Sequence, residues 1–561
     1  MKKEKWVLIR KGADFNQLAQ KFNISPLTAR LIVNRGVKED EMAKYLYGGK
    51  DDLYDPFLLK DMDIAVEILA DKIADGAKIR IIGDYDIDGV MGTAVLYLGL
   101  KRAGADVDAD IPDRFVDGYG MSNRLVKKAI DDGIDTIITV DNGIAAFEQI
   151  EFAKSNAMTV VVTDHHEIAS IPGADAVINP KREDNEYPFR ELCGAAVGYK
   201  LIIALYSELG IPIETAEDLL SYAAFATVGD IVSLKDENRI IVRTGMEILR
   251  STDNIGMRAL FEAAGADVSR VNAYTIGYVI GPCINASGRL NTALEAFRLI
   301  VSDDEAEVKR IASKLKALNE ERKVLTQEAA QRAMEIVRKE KMENDKVLVI
   351  YIPDCHESVA GIVAGRVKEE YFRPTFILTD SKGMLKGSGR SVEMYNMFEE
   401  MSKIKEIFEH FGGHAMAAGL TLKKDNLEKF RKMINDNCSI SSDEFAEIVR
   451  IDADPPLNYM TEKLIQEIEL LEPFGSGNSR PHFAVRNIRF ENPKLIGERK
   501  NILKANAIRQ DGRLVDAVCF NSGDELMKLI REGKNISVVY HPNINEYNGE
   551  RSVQLIIDYF C

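Results

Sequence analysis

Residues 78–89, KIRIIGDYDIDG, pass from a short run of β-forming residues into Asp84-Tyr85-Asp86-Ile87-Asp88-Gly89, and the fold follows from what comes after them. VMGTAVLYLGLKRAG has helical character, VDADIP is a strand, NRLVKKAIDDG a helix, DTIITV a strand, AAFEQIEFAKSN a helix and MTVVVT a strand. Strands alternating with helices predict a mainly parallel sheet covered on both faces. In such a sheet the carboxyl ends of the strands line the ligand crevice. KIRIIG leads into Asp84, Asp86 and Asp88, DTIITV into Asp141-Asn142-Gly143, and MTVVVT into Asp164-His165-His166-Glu167. These acids should therefore meet on one edge.

Carboxylates crowded together out of water cost several kcal/mol each unless cations accompany them. The spacing thus points to a divalent-metal site. Carboxylate outweighs imidazole and no thiolate is near, so Mn²⁺ or Mg²⁺ suits the set better than Zn²⁺. A D-x-D-x-D-G run also opens calcium loops. In this chain the Glu that closes such a loop would fall six residues after Gly89, where Val95 stands.

GDYDIDG, VDNGI, TDHHE and GDIVSL occur in this order and resemble the four motifs of the DHH phosphoesterase family. The resemblance implies two Mn²⁺ ions, with Mg²⁺ as an alternative, bridged by Asp141. It implies Asp84 and Asp86 on one ion and Asp88, His165 and Asp230 on the other. Asp164 is expected to orient His165, leaving His166 free to face the scissile phosphate. Together the two ions would activate a bridging water and stabilise charge on the leaving oxygen, with no covalent intermediate.

Beyond this unit, residues 1–70 are expected to be helical. FNQLAQKFNISPLTARLIVNRGV resembles a helix-turn-helix, but short helices packing apolar faces on a neighbour give the same pattern. The catalytic domain is assigned to 71–303, with 212–264 largely helical. A charged helix with Val308, Ile311, Leu315 and Leu318 at helical spacing forms a connector over 304–341. A smaller α/β domain follows over 342–440: strand KVLVIYI, helix ESVAGIVAGRVKEEY, strand PTFILT and the glycine-rich stretch MLKGSGRS. Its FGGHAMAAG resembles the GGH motif of the DHHA1 domain. Over 441–561, five short strands with the helix DELMKLIRE among them predict an OB-like β-barrel. LEPFGSGNSRPHF, DRFVDGYG, INASGR and SGRS resemble segments of the RecJ branch of the family, so the resemblance covers nearly the whole chain.

That branch implies an exonuclease degrading single-stranded DNA from the 5′ end in repair and recombination. A single-strand-binding protein and a helicase are its expected partners. It also implies a DNA track of Arg114, Tyr119, Asn285, Arg289, Arg390 and His414. Arg114, Arg289 and Arg390 are expected in loops, where a guanidinium can hold a phosphate through two hydrogen bonds. Tyr119 offers a ring for base stacking, and His414 is expected to act in catalysis beside Asp141 and His166, on the phosphate next to the cleaved bond. Two positions depart from related sequences: Cys283 after Pro282 where Arg is common, and Cys355 before His356-Glu357 where Trp is common.

The net charge of −16 would by itself disfavour a nucleic-acid partner. A channel for one strand needs only local basic residues, and cations offset part of an acidic site. Cys193, Cys283, Cys355, Cys438, Cys519 and Cys561 form no C-x-x-C pair, which argues against a zinc ribbon or a disulfide framework. Without a signal-like or membrane-spanning apolar run, the expected location is cytoplasmic. Two other functions fit parts of the pattern. A phosphodiesterase for short oligoribonucleotides or cyclic dinucleotides would leave the C-terminal barrel with nothing to hold, and a non-catalytic replication scaffold would be expected to have lost ligands.

Overall fold

The computed structural model describes residues 3–561 except 115, 499 and 548. By backbone contacts the chain divides into two compact units. One comprises residues 6–253, 266–281 and 450–561; the other comprises 254–265 and 282–449 with the first few residues.

Strand β1, Glu4–Leu8, stands in the stretch expected to be helical. The first unit then builds the parallel sheet from β2 (Lys78–Ile82), β3 (Asp106–Asp110), β4 (Thr136–Val140), β5 (Thr159–Thr163) and β6 (Ala176–Ile178), in the order β3-β2-β4-β5-β6. Every pairing is parallel. The central strand β4, TIITV, is buried along its whole length, as strands covered by helices on both faces must be. Helices Ile87–Arg102 and Gly194–Leu209 are almost wholly buried, which explains why neither shows a polar face in sequence.

In the second unit the long charged helix runs Glu305–Lys339, its first turn capped by the Asp304 carboxylate. It buries Val308, Ile311 and Leu315 near one end. Toward the other, Ala329, Ala333 and Val337 join a core with Val359, Val363 and Val367 of helix Glu357–Tyr371. The five strands here are β7 (Leu348–Tyr351), β8 (Thr375–Ser381), β9 (Met384–Arg390), β10 (Phe408–Gly413) and β11 (Ala417–Leu422). They lie in the order β10-β11-β9-β8-β7, with only β7 and β8 parallel. Strand β12 (Glu447–Ile451) follows.

The C-terminal region forms a mixed six-stranded sheet of the OB type rather than five strands. HFAVRNIRF, which reads as one strand, is broken at Arg489 into β13 (Phe483–Ile488) and β14 (Phe490–Ile496), with Asn487 in a left-handed conformation at φ 53°. They are joined by β15 (Ile502–Ile508), β16 (Leu514–Cys519), β17 (Ile536–Tyr547) and β18 (Glu550–Phe560), in the order β13-β17-β18-β16-β15-β14. The N-terminal helices Phe15–Phe22 and Pro26–Asn34 bury Leu18, Leu31 and Ile32 in one core with Leu457, Leu464, Phe483 and Tyr540. The helix-turn-helix pattern is therefore a packing pattern. The N-terminal helices and the C-terminal sheet share a hydrophobic core, which separate segments of sequence do not reveal.

Candidate metal centre

Asp84, Asp141 and Asp164 stand within two residues of the carboxyl ends of β2, β4 and β5, and all three are almost fully buried. Asp86 caps helix Ile87–Arg102, its Oδ1 accepting from the N–H groups of Asp88 (3.0 Å) and Gly89 (3.2 Å). Asp88, at the start of that helix, takes the N–H of Gly194 on Oδ2 at 2.6 Å and that of Ala195 on Oδ1 at 2.7 Å. These donors open helix Gly194–Leu209, so its positive end faces a carboxylate. Asp230 follows helix Leu219–Gly229.

Two glycines make this approach possible. A Cβ on Gly89 would lie 2.3–2.5 Å from the Asp84 backbone, and one on Gly194 would lie 2.6 Å from the Asp141 Cβ. Asp141 itself adopts a left-handed backbone, φ 62°, a conformation that costs a non-glycine residue energy and is tolerated where the surroundings impose it. Here its N–H is held by the Thr163 carbonyl (3.1 Å), while Asn142 donates to the carbonyls of Ile82 and Val140.

Three sets of ligand atoms converge: Asp84, Asp86 and Asp141; Asp88, His165 and Asp230; and Asp141, His165 and His166, the atoms of each set within 4.8 Å of one another. His165 Nε2 lies 3.0 Å from Asp141 Oδ1, 3.5 Å from Asp88 Oδ2 and 3.8 Å from Asp230 Oδ2. Asp141 thus stands between the first carboxylate group and the histidine that carries the second.

The electrostatics are those of a crowded cluster of buried acids. Burial and the neighbouring Asp86 charge push Asp84 well above the ordinary carboxylate range. Burial and the surrounding acids do the same to Asp141, with Asp88 the largest of them. Asp86 is raised by burial and Asp88, and Asp230 is pushed up to about 8 by burial, Asp88 and Asp86. Burial lowers His165, leaving a neutral imidazole with a lone pair to offer. The buried Asp141 Oδ1 has no hydrogen-bond donor. An oxygen lacking a donor, amid carboxylates and a neutral imidazole, is the donor set that divalent cations require, so the residues fit the expected metals.

Asp164 departs from its expected part. Its Oδ1 accepts the backbone N–H of His165 (2.7 Å) and pairs with the ring Nδ1 of His166 (2.7 Å), while Oδ2 takes the N–H of Ile144 (2.9 Å). It therefore orients the ring of His166 and not that of His165. Nor is His166 free. Burial opposes its charging, but the Asp164 hydrogen bond and charge, with Asp230 and Asp88, raise it to about 9. Its Nε2 lies 3.1 Å from the Tyr119 hydroxyl, which donates to the Asp141 carbonyl at 3.0 Å. Tyr119 is thus built into the centre by its oxygen, while its ring edge meets His166 and Tyr85 and half its surface stays open.

The remaining expected residues are distributed over both units. Arg114 lies in a turn, its guanidinium 5.3 Å from the Tyr85 ring centre. Asn285 and Arg289 lie on helix Gly281–Leu290 and Arg390 ends β9, so neither of these two arginines is in a loop. Arg289 Nη1 donates to the Ser358 carbonyl (2.8 Å), and Arg390 Nη1 to that of Gly389 (2.8 Å). His414 follows β10, exposed, with its N–H on the Ala417 carbonyl (2.8 Å). Cys283 is buried, receiving Asn319 Nδ2 at 3.4 Å, and Cys355 packs in the core beside Val359. The contribution of Gly194 and Ala195 has no counterpart in the sequence reading. Its one signal is L-C-G-A-A, small residues opening an apolar helix.

Family models match three segments of the chain: the DHH family N-terminal domain over 78–227, the DHHA1 domain over 344–439 and the RecJ OB domain over 451–559. The single-stranded-DNA-specific exonuclease RecJ of Bacillus subtilis strain 168 is 36% identical over 99% of this chain and 70% of its own length. That of Escherichia coli K12 is 33% identical over 95% of this chain and 96% of its own. The chain belongs to the RecJ family. The crystal structure of RecJ in complex with Mn²⁺ from Thermus thermophilus superposes with a TM-score of 0.82 at 26% identity, covering all of this chain and 80% of that one. The RecJ order of DHH, DHHA1 and OB domains is thus present from Lys78 to the C-terminal sheet, with most of the acid cluster inside the DHH match.

Proposed function

We propose that this protein is a metal-dependent exonuclease that hydrolyses phosphodiester bonds of single-stranded DNA, working 5′ to 3′ in repair and recombination. The observation that carries the reading is the convergence of Asp84, Asp86, Asp88, Asp141, His165 and Asp230 on the carboxyl edge of one sheet, in a chain similar to RecJ proteins along nearly all its length. Two Mn²⁺ ions are the proposed complement, with Mg²⁺ able to replace them. Asp84, Asp86 and Asp141 would hold one, and Asp141, Asp88, His165 and Asp230 the other.

When bound, these cations supply Lewis acidity, lowering the pKa of a water and offsetting charge on the phosphate. The chain does the rest. Asp141 holds both ligand groups in register through its fixed backbone. The helix end at Gly194 and Ala195 keeps Asp88 turned inward. Asp164 fixes the His166 ring beside the cluster, and Tyr119 closes the hydrogen-bond chain back to Asp141. Arg114, the Tyr119 ring, Asn285, Arg289, Arg390 and His414 are the proposed DNA contacts, with His414 serving the phosphate next to the cleaved bond. The duplex of a cell must be opened before such an enzyme can act, which favours a helicase and a single-strand-binding protein as partners and a cytoplasmic location. Among the described residues no helix is long and apolar enough to cross a membrane.

Hydrolysis of end-labelled single-stranded DNA should vanish in excess chelator and return with Mn²⁺ at least as well as with Mg²⁺. Label at either end tests the polarity. Full activity in chelator, or preference for a cyclic dinucleotide over a long single strand, would overturn the proposal.

A further inference from the structure

The C-terminal sheet gathers a second group of metal-ligating side chains. We propose that His482, His541 and Asp558 form a divalent-metal site, suited to zinc, that is separate from the catalytic centre. His482 directly precedes β13, His541 lies on β17 and Asp558 on β18, neighbouring strands of one sheet. The register pairs Phe483 with Tyr540, which puts His482 and His541 side by side across the ladder. Between β17 and β18 the register jumps: Val539 pairs with Tyr559 and Tyr540 with Ile557, so Asp558 is the extra residue of a β-bulge. Bulges re-aim a side chain. Here the bulge accompanies a carboxylate whose Oδ2 lies 2.7 Å from His541 Nδ1 and 3.6 Å from His482 Nε2.

A simple ion pair would need only His541 and Asp558. The second imidazole converging on the same oxygen is what makes a coordination site, and the three ligand atoms lie within 4.8 Å of one another. Zinc bonds of about 2.0–2.1 Å in tetrahedral geometry put neighbouring donors about 3.3 Å apart. The 3.6 Å separation already suits that, and the 2.7 Å contact opens by about half an ångström once the shared proton leaves. His482 is held from behind: its N–H donates to Asp452 Oδ2 (3.1 Å), its carbonyl accepts the Asp452 N–H (2.8 Å), and its ring meets the Tyr559 ring edge-on. Two imidazoles and one carboxylate are a softer set than the carboxylate-rich catalytic cluster, which favours zinc over manganese. The side chains are 29%, 18% and 27% exposed, leaving the fourth position to water. A cation there would tie β13, β17 and β18 together without touching the phosphodiester chemistry.

The full-length protein, stripped with chelator, loaded with zinc chloride and desalted, is assayed for zinc by elemental analysis beside His482→Gln and His541→Gln. Each variant should carry one equivalent less than wild type, and its Mn²⁺-supported cleavage of a short oligonucleotide should stay within about twofold, since neither residue touches the catalytic cluster. In an Asp141→Ala background, cobalt should still give the strong visible absorption of a low-coordinate site, and His541→Gln should abolish it. Should His541→Gln fail to fold by circular dichroism, the more exposed His482→Gln decides alone. Unchanged zinc content in a folded His482→Gln protein, or no such cobalt signal in the Asp141→Ala background, would overturn the proposal.

Discussion

The acid edge of the parallel sheet and the β10–β11 hairpin that carries His414 are both proposed to serve the same chemistry, yet they are built in opposite ways. At the edge, Asp84, Asp88, Asp141 and Asp164 are buried, Asp88 and Asp164 are held by backbone N–H groups, and burial with the neighbouring charges raises the pKa of Asp84 and Asp141. At the hairpin, His414 is exposed and tied down by its backbone hydrogen bond to Ala417. The first arrangement invests folding free energy in a preformed charge trap. The second can act only once substrate arrives. Losses at the edge should therefore be large and tied to metal, whereas losses at the hairpin should be smaller, metal-independent and confined to turnover.

The largest effect is expected from Asp141→Ala, which removes the carboxylate assigned to both metal ions. Cleavage should fall by at least about 10³-fold, the upper end of what one electrostatic group supplies, with single-strand binding retained. Near-normal cleavage would show that Asp141 is not the shared ligand. His414→Ala should lower kcat by roughly 10²-fold with little change in KM, because a donor that meets charge developing on the phosphate acts mainly in the transition state. Thermal stability should not move, since the residue is exposed. A joint loss of stability and activity would contradict its open placement, and wild-type kcat would remove the hairpin from catalysis.

Asp164→Asn tests how far the edge depends on residues behind the ligands. Its carboxylate receives the backbone N–H of His165 and the ring of His166, and loss of such support costs about 10–100-fold in metal affinity or activity. Burial alone would raise the Asp164 pKa, but the His166 hydrogen bond and charge hold it below the ordinary value, so the native partner is a charged carboxylate. If the reduced rate recovers fully at saturating Mn²⁺, the support acts through the metal site. If it does not recover, it acts through His166.

Much of the edge was legible in sequence because it is local: Asp84, Asp141 and Asp164 follow short β-forming runs, whereas Asp230, which follows a helix, is reached only through the order of motifs. Where sequence and structure part, tertiary packing or the geometry of a turn decides. KGSGRS looks like a glycine-rich loop, but in β9, between β8 and β11, a Cβ on Gly387 would lie 2.3 Å from Leu378, so that glycine serves sheet packing and carries Arg390 onto a strand. The Gly281–Leu290 helix is hidden in the same way at INASGR, where Gly and Ser suggest a turn. Adjacency in sequence assigns Asp164 to His165, whereas the turn after β5 brings the ring of His166 onto it.

Tyr119→Phe should have the smallest effect, and it separates the two uses of that side chain. The sequence offers its ring to a base; the structure engages its hydroxyl, which joins His166 Nε2 to the Asp141 carbonyl. Phenylalanine keeps the ring and the area a base would cover but removes the bridge. One hydrogen bond contributes about 1 kcal/mol, roughly fivefold in rate, and more if the orphaned carbonyl stays dry. If stacking is its main task, KM for a long strand and kcat should both be unchanged, whereas Tyr119→Ala should weaken binding. If the hydroxyl holds the centre together, Tyr119→Phe should lower kcat by about that factor at unchanged KM, and alanine should lower both kcat and affinity. A loss of cleavage in Tyr119→Phe as deep as that of Asp141→Ala would show that the tyrosine sets the geometry of the acid edge itself, and the contrast between a self-sufficient edge and a substrate-dependent hairpin would fail.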